Sequence, residues 1–324
     1  MPTTLITGGA GYIGCFAAEE LLDSGRDVRV LDVLLHGQQE RAGELEAKGV
    51  EVLRGDVRDA SLRARALAGA DEVVHLAAIV GDPACARDPD LADDVNVGGA
   101  RAIAADARDA GVNRIVFAST CSNYGRMADP TVPITEEGEL APVSLYARQK
   151  VEVEQALLAD DYAPLVATCL RFATVYGVAP RMRFDLTVNE FTRDLWADRE
   201  LEVFGEQFWR PYVHVRDAAR GIRRVLEADD DLVGGEVFNV GRSGENYRKL
   251  DLVDAIAGTV ARGRVTYVPR DEDPRDYKVA FDKVRERLGF ETLFTVPDGI
   301  GELVSALDAG RFEDPWDARY RNIP

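Results

Sequence analysis

Histidine and cysteine are scarce, three and four residues in a chain of 324, and the four cysteines (Cys15, Cys85, Cys121, Cys169) stand far apart. No Cys-x-x-Cys pair occurs, so the sequence suggests neither a disulfide framework nor a zinc site. We expect small buried hydrophobes at these positions and no metal. No apolar run approaches the roughly 20 residues that a spanning helix needs, and no basic, apolar leader precedes the first strand-like run, TTLIT. We therefore expect a cytoplasmic protein with no membrane partner. Gly/Ser linkers, repeats and low-complexity tracts are also missing, which points to parts packed together rather than tethered. Positive charge is in deficit, with a formal net charge of −18, and the summed field would repel polyphosphate, so we expect no nucleic-acid partner. A small anionic ligand held by local arginines stays open, because only five of the 39 basic residues are lysine.

What is present is an alternation. Short apolar runs (TTLIT, DVRVLDV, VEVLRGD, DEVVHLAA, NRIVFAST, LVATCLRFATVYG) alternate with helical stretches near 12–24, 38–48, 58–68, 91–110 and 146–160. Strands alternating with helices predict an α/β fold built on a doubly wound parallel sheet. After Gly177 the pattern loosens, with helices expected at 186–197, 249–261 and 282–288 and strands at LEVFG and VFNVG. We expect a dinucleotide-binding part over 1–173, rejoined by 212–241. A smaller C-terminal α/β substrate-binding region would then comprise 174–211 and 242–324.

The first strand runs into TGGAGYIG. Gly8, Gly11 and Gly14 allow a tight strand-to-helix turn, close approach of the backbone to a diphosphate, and close helix packing, with Tyr12 and Ile13 opening the helix. The second strand ends in Asp32, 18 residues past Gly14 and close to the ~20 expected of a ribose-binding acid. Its carboxylate can accept from ribose hydroxyls and would repel a 2′-phosphate, so NAD is favoured over NADP. Asp56 and Val57 follow the third strand, where an acid can reach an adenine amino group; a helix N-cap at Asp56 is the competing reading.

Within SLYARQK, Tyr146 and Lys150 lie one helical turn apart and share a face. A free phenol, with a pKa of about 10, is a poor base, but an ammonium within a few ångströms and a positive nicotinamide ring both favour the phenolate. Ser119, Thr120 and Ser122, in STCSNYG, stand at the carboxyl end of the preceding strand, where ligands of open parallel sheets collect.

The ordered set TGGAGYIG, Asp32, HLAA (75–78), STCSNYG, Tyr146-x-x-x-Lys150 and VYG (175–177) resembles the extended short-chain dehydrogenase/reductase superfamily, in particular its NAD-dependent nucleotide-sugar epimerases and dehydratases. The resemblance implies a Rossmann fold and NAD as cofactor. It places the catalytic hydroxyl at Thr120, five residues before Gly125, with Tyr146 as base and Lys150 tuning it and binding the nicotinamide ribose. Leu76, Ala77, Ala78 and Asn96 match family positions along the cofactor, whereas His75 reads as a satisfied core residue. Arg210, in WRPYVHVRD, and Arg275, in DPRDYKVAFDK, match positions that hold the nucleotide diphosphate of the substrate. Ser122, Thr174 and Arg183 face the substrate side, and RMRFD (181–185) has no assigned role. Dehydratases and decarboxylases of the family carry acids after the catalytic Thr, and here those positions are Cys121 and Ser122. The expectation is a C4 epimerase working through a 4-keto sugar. A 4-keto-sugar reductase, a dehydratase or a non-catalytic NAD-binding regulator is the alternative. The resemblance also implies a homodimer through the helices near 96–111 and 147–160.

Overall fold

The computed structural model describes all residues except 127, 128, 130, 160, 270–274 and 323–324. Six strands precede residue 173: β1 (Thr3–Thr7), β2 (Asp27–Asp32), β3 (Glu51–Arg54), β4 (Glu72–His75), β5 (Arg114–Thr120) and β6 (Val166–Phe172). The helices between them are α1 (Gly14–Asp23), α2 (Gln39–Ala47), α3 (Ala60–Leu67), the short α4 (Asp82–Arg87) and α5 (Pro89–Asp93), α6 (Ala100–Asp109) and α7 (Leu145–Leu158). A wide π-turn over Asp94–Gly99 joins α5 to α6, so the single helix expected over 91–110 is broken. Such turns re-aim side chains, and this one carries Asn96.

Beyond β6 come β7 (Thr174–Tyr176), α8 (Thr187–Trp196), β8 (Glu200–Phe204), β9 (Trp209–His214), α9 (Val215–Leu226), α10 (Asp230–Val233) and β10 (Glu236–Val240). The chain continues through β11 (Asn246–Arg248), α11 (Lys249–Thr259), β12 (Arg264–Val268), α12 (Asp282–Leu288) and α13 (Val296–Asp308). The main sheet is parallel, in the order β10-β6-β5-β4-β1-β2-β3. Strand order reverses between β1 and β4, and the carboxyl ends of those two strands open a crevice at the switch point.

Period-two alternation sends one set of side chains to each face of this sheet. Ile6, Val30, Val74, Val116, Leu170 and Phe238 form a core on one face with residues of α1 and α9. Leu5, Leu31, Val73, Ile115, Phe117 and Cys169 form the other with residues of α3, α6 and α7. Small side chains, Ala17, Ala18, Ala218 and Ala219 among them, let helices approach closely.

The run LVATCLRFATVYG, read as one strand from sequence, divides after Phe172. β6 stays in the main sheet, while β7 pairs with β9, which also pairs antiparallel with β11. β8 and β12 form a two-stranded parallel ladder. A third apolar core, including Phe184, Val188, Leu195, Leu252, Ile256, Ile300 and Leu303, holds these elements together. The four cysteines are free and buried. Among the described residues no helix is long and apolar enough to cross a membrane, and no cluster of His, Cys, Asp or Glu could hold a metal ion.

Candidate active site

The crevice at the switch point has a volume of about 770 Å³, within the range of small-molecule sites. Its floor is the glycine turn. Gly8 has φ +73, and a Cβ there would meet the Ala77 nitrogen at 2.8 Å; at Gly14 a Cβ would meet the Gly8 carbonyl oxygen at 2.3 Å. Only glycine lets β1, the start of α1 and the 76–78 segment converge this tightly. The backbone cradle at the α1 N-terminus therefore fits a diphosphate group. Gly8, Gly11, Tyr12, Ile13, Gly14, Leu76, Ala77 and Ala78 all line it, as the sequence leads one to expect.

Asp32 ends β2 at the crevice wall. Its carboxylate accepts from the backbone N–H groups of Ala10, at 3.0 Å, and Leu34, at 2.8 Å. Leu34 sits at φ +55, so the main chain curls back over the acid. Burial nevertheless raises the carboxyl above its usual range, and ribose hydroxyl donors would return it to the charged form. Asp56 and Val57 line the same end. The N-cap reading of Asp56 is set aside: Asp59 caps α3, accepting from Ser61 and Leu62, and Asp56 pairs with Arg58 at 2.7 Å.

Ser144 caps α7 by accepting from the Ala147 N–H, which sets the register that turns Tyr146 and Lys150 into the crevice. The Lys150 ammonium donates to the Ala118 carbonyl at 2.7 Å and lies 5.8 Å from the Tyr146 ring centroid. Burial lowers the amine from 10.5 to about 8. Burial also pushes the Tyr146 phenol up, with Cys85 and Asp82 adding to the effect and the Arg183 charge opposing it. In the protein by itself desolvation thus dominates, and the expected lowering of the phenol is not present.

Thr120, the third residue of the catalytic triad that the resemblance implies, lines the same crevice. Its Oγ1 accepts from the Ser122 N–H at 3.1 Å, which leaves its hydroxyl proton to donate into the crevice. Ser122 lines the crevice with its hydroxyl 3.3 Å from the Tyr277 hydroxyl. Ser119 is occupied elsewhere, donating to the Glu154 carboxylate at 2.7 Å and accepting from Asn123. That carboxylate is 1% exposed and paired with the buried Arg171. The network ties α7 to β5 and β6 behind the triad.

One expectation at the cofactor end changes, and one is met. Asn96 does not line the crevice; it clips Ile79, accepting from its N–H at 2.7 Å and donating to its carbonyl and to Gln149. Its role is to hold the crevice loop after β4. His75 is buried against Thr7 at 2.7 Å, and desolvation lowers it to about 3, as befits a core residue.

Thr174, Arg183, Arg210 and Arg275, expected on the substrate side, all line the crevice. Arg183 is chelated by Asp185, Arg210 donates to the Trp209 carbonyl at 2.7 Å, and Arg275 pairs with Asp82 at 2.8 Å. Sequence reasoning missed Arg181, His36 and Asn322, which also line it. Asn322 belongs to a C-terminal strap: Phe184 N–H donates to the Tyr320 carbonyl at 2.8 Å, and the Asn322 side chain donates to the Val80 carbonyl at 3.3 Å. The two arginines of RMRFD were the available signal for Arg181; nothing local marks the strap.

Residues 4–241 match the model of the NAD dependent epimerase/dehydratase family. The chain belongs to that family. NAD is accordingly its cofactor, and the cradle, the Asp32 carboxylate and the Tyr146–Lys150 pair fit it. A UDP-glucose 4-epimerase of Mycolicibacterium smegmatis is 32% identical over 309 residues, covering 93% of this chain and 97% of that one. The structure of a UDP-glucose 4-epimerase from Thermus thermophilus in complex with NAD superposes with a TM-score of 0.82 at 28% identity, covering 94% of this chain and 99% of that one. A dTDP-glucose 4,6-dehydratase from Streptomyces venezuelae, with NAD bound, gives 0.84 at 28% identity over 95% and 98% of the two chains. Family membership and fold are thus shared across more than one chemistry, and the reaction has to be read from the site itself.

Proposed function

We propose that this protein is an NAD-dependent nucleotide-sugar epimerase that inverts C4 through a 4-keto intermediate. The observation that supports it most is the convergence of Thr120, Tyr146 and Lys150 at one end of a crevice whose other end is built for a dinucleotide. When bound, NAD supplies the hydride acceptor and, through its positive nicotinamide ring, the charge that favours a Tyr146 phenolate. Thr120 donates to the substrate oxygen and orients it. Tyr146 takes the proton from the C4 hydroxyl, and the developing carbonyl keeps its hydrogen bonds to both residues. Lys150, anchored on Ala118, stabilises the phenolate and reaches the ribose. After the keto sugar turns over, C4 would regain hydride from the cofactor on its opposite face, with inversion, as Tyr146 returns the proton to O4.

Elimination of water needs a further acid or base near C5 and C6. Cys121 does not supply one: its thiol is buried, donates to the Arg171 carbonyl at 3.2 Å, and is raised well above its usual range by burial. Ser122 offers only a hydroxyl. This favours epimerisation over dehydration. We assign the sugar nucleotide to the elements after residue 173, with Arg210 and Arg275 toward its diphosphate and Thr174 and Arg183, together with Ser122 after β5, toward its sugar. The partly exposed Ala102 and Ala105 of α6, with the Arg101–Glu152 pair at 2.9 Å linking it to α7, support a homodimer built on these two helices, and the four reduced cysteines suit a cytoplasmic setting.

A panel of UDP-, GDP-, CDP- and dTDP-sugars tests the reading. C4-inverted product without consumption of added NADH is expected. Stoichiometric NADH use would make the protein a reductase, and tightly held NAD without turnover would make it a regulator. Sedimentation at micromolar concentration tests the dimer.

A further inference from the structure

Arg181 is a buried cation of the crevice wall that the triad does not use. It stands on the loop between β7 and α8, lines the crevice, and is 6% exposed. Its Nη2 donates to the Arg321 carbonyl at 3.2 Å, but its Nε is buried without a hydrogen-bond partner. The neighbouring Arg183 is neutralised by the two-point contact with Asp185; Arg181 forms no ion pair with a described residue. Its backbone N–H faces the Cys15 thiol in the first turn of α1, and its charge faces Tyr12, Asp32, His36, Arg183 and Asp185. His36 adds no further positive charge, since burial and the two arginines lower it to about 4.

A guanidinium withdrawn from water without an anionic partner is costly unless an anion arrives. Here the α1 N-terminus, itself an anion site, lies in the same wall, between the ribose acid Asp32 and the Tyr146 end. We propose that Arg181 is a phosphate ligand for the cofactor, its guanidinium closing on the dinucleotide's diphosphate across from the glycine turn. The substrate would also carry a diphosphate, but Arg181 sits against α1 and Asp32, whereas the arginines read as substrate ligands, Arg210 and Arg275, sit on β9 and before α12. The C-terminal strap, through the Arg321 carbonyl, aims the group. The inference rests on NAD as cofactor and not on the C4 chemistry, so failure of the epimerase assignment leaves it standing.

The test uses the full chain freed of nucleotide, with Arg181→Met and Arg181→Lys, and calorimetric titration with NAD, adenosine and UDP. Losing a charge-assisted phosphate contact should weaken NAD by roughly 10- to 100-fold in R181M, leave adenosine and UDP within about twofold, and recover in part in R181K. The melting temperature of nucleotide-free R181M should equal or exceed that of the parent, while its rise on adding NAD shrinks. Selective loss of UDP binding would assign the arginine to the sugar nucleotide and overturn the proposal. A parallel loss of all three ligands with a lower melting temperature would make it a structural strut, and unchanged NAD affinity in R181M would remove the contact altogether.

Discussion

Replacing Lys150 by methionine should destroy activity and, at neutral pH, make the nucleotide-free protein more stable. The reasoning begins from burial: Lys150 is 3% exposed, and desolvation brings its amine from 10.5 to about 8. The unfolded chain holds this proton to higher pH than the folded one, so Lys150 contributes a rise in stability as pH climbs from about 8 to 10.5. Below pH 8 both states are charged and the full penalty applies, roughly 3 kcal/mol at about 1.4 kcal/mol per pH unit. Methionine removes that penalty. It also forfeits the hydrogen bond to the Ala118 carbonyl, worth about 1 kcal/mol, and the packing of the ammonium 4.6 Å from the Phe117 ring centroid. The expected net gain at pH 7 is therefore about 1–2 kcal/mol. Near pH 10 the parent has shed most of its penalty and K150M should become the less stable of the two. Urea unfolding midpoints of both proteins at pH 7 and near pH 10 measure the crossing. A K150M protein that is less stable at both, or a difference that ignores pH, would refute the claim that a desolvated ammonium is stored here.

The remaining predictions concern the base, its support and the ribose acid. Tyr146→Phe should lower kcat by about 10²- to 10⁴-fold while NAD affinity, read by calorimetry, stays within a few-fold; a small kcat effect would pass the role of base to another group. Glu154→Gln strands the Arg171 guanidinium, whose Nε lies 3.2 Å from both Glu154 oxygens. Breaking such a buried pair should cost about 3–5 kcal/mol in urea unfolding, and a loss under 1 kcal/mol would mean that water or Glu136 compensates. Asp32→Ala should weaken NAD by about 10- to 100-fold and narrow its advantage over NADP in the same titration; an unchanged ratio would show that Asp32 does not read the ribose.

The glycine turn, Asp32, Thr120 and the Tyr146–Lys150 pair were legible because each signal is local: a strand, a turn or a single helical turn fixes the spacing. What escaped is non-local. β7 and β11, three residues each, are too short for a period-two signal and exist because β9 lies between them. Asn96 bonds Ile79 across the π-turn, a contact no helical period foretells. Arg181 was visible as an arginine in RMRFD, but its nearness to Cys15 and Asp32 depends on how the loop after Gly177 folds over α1. There the Tyr12 hydroxyl donates to the Gly177 carbonyl at 2.6 Å and the Gly177 N–H donates to Asn189. The start of α13 could have been read: Thr295 and Asp298 form a capping box with Pro297 in the first turn. The lowering of the Tyr146 phenol expected from its ammonium neighbour is absent because burial of the phenol, which sequence does not reveal, raises it.

The central claim is that Tyr146 faces a sugar C4 whose hydride leaves and returns within the crevice. The most direct measurement is the fate of deuterium placed at C4 of the turned-over nucleotide sugar, followed by NMR in ordinary water. Retention of the label in the C4-inverted product is predicted; exchange of the label with solvent, or inversion at another carbon with C4 untouched, would contradict it.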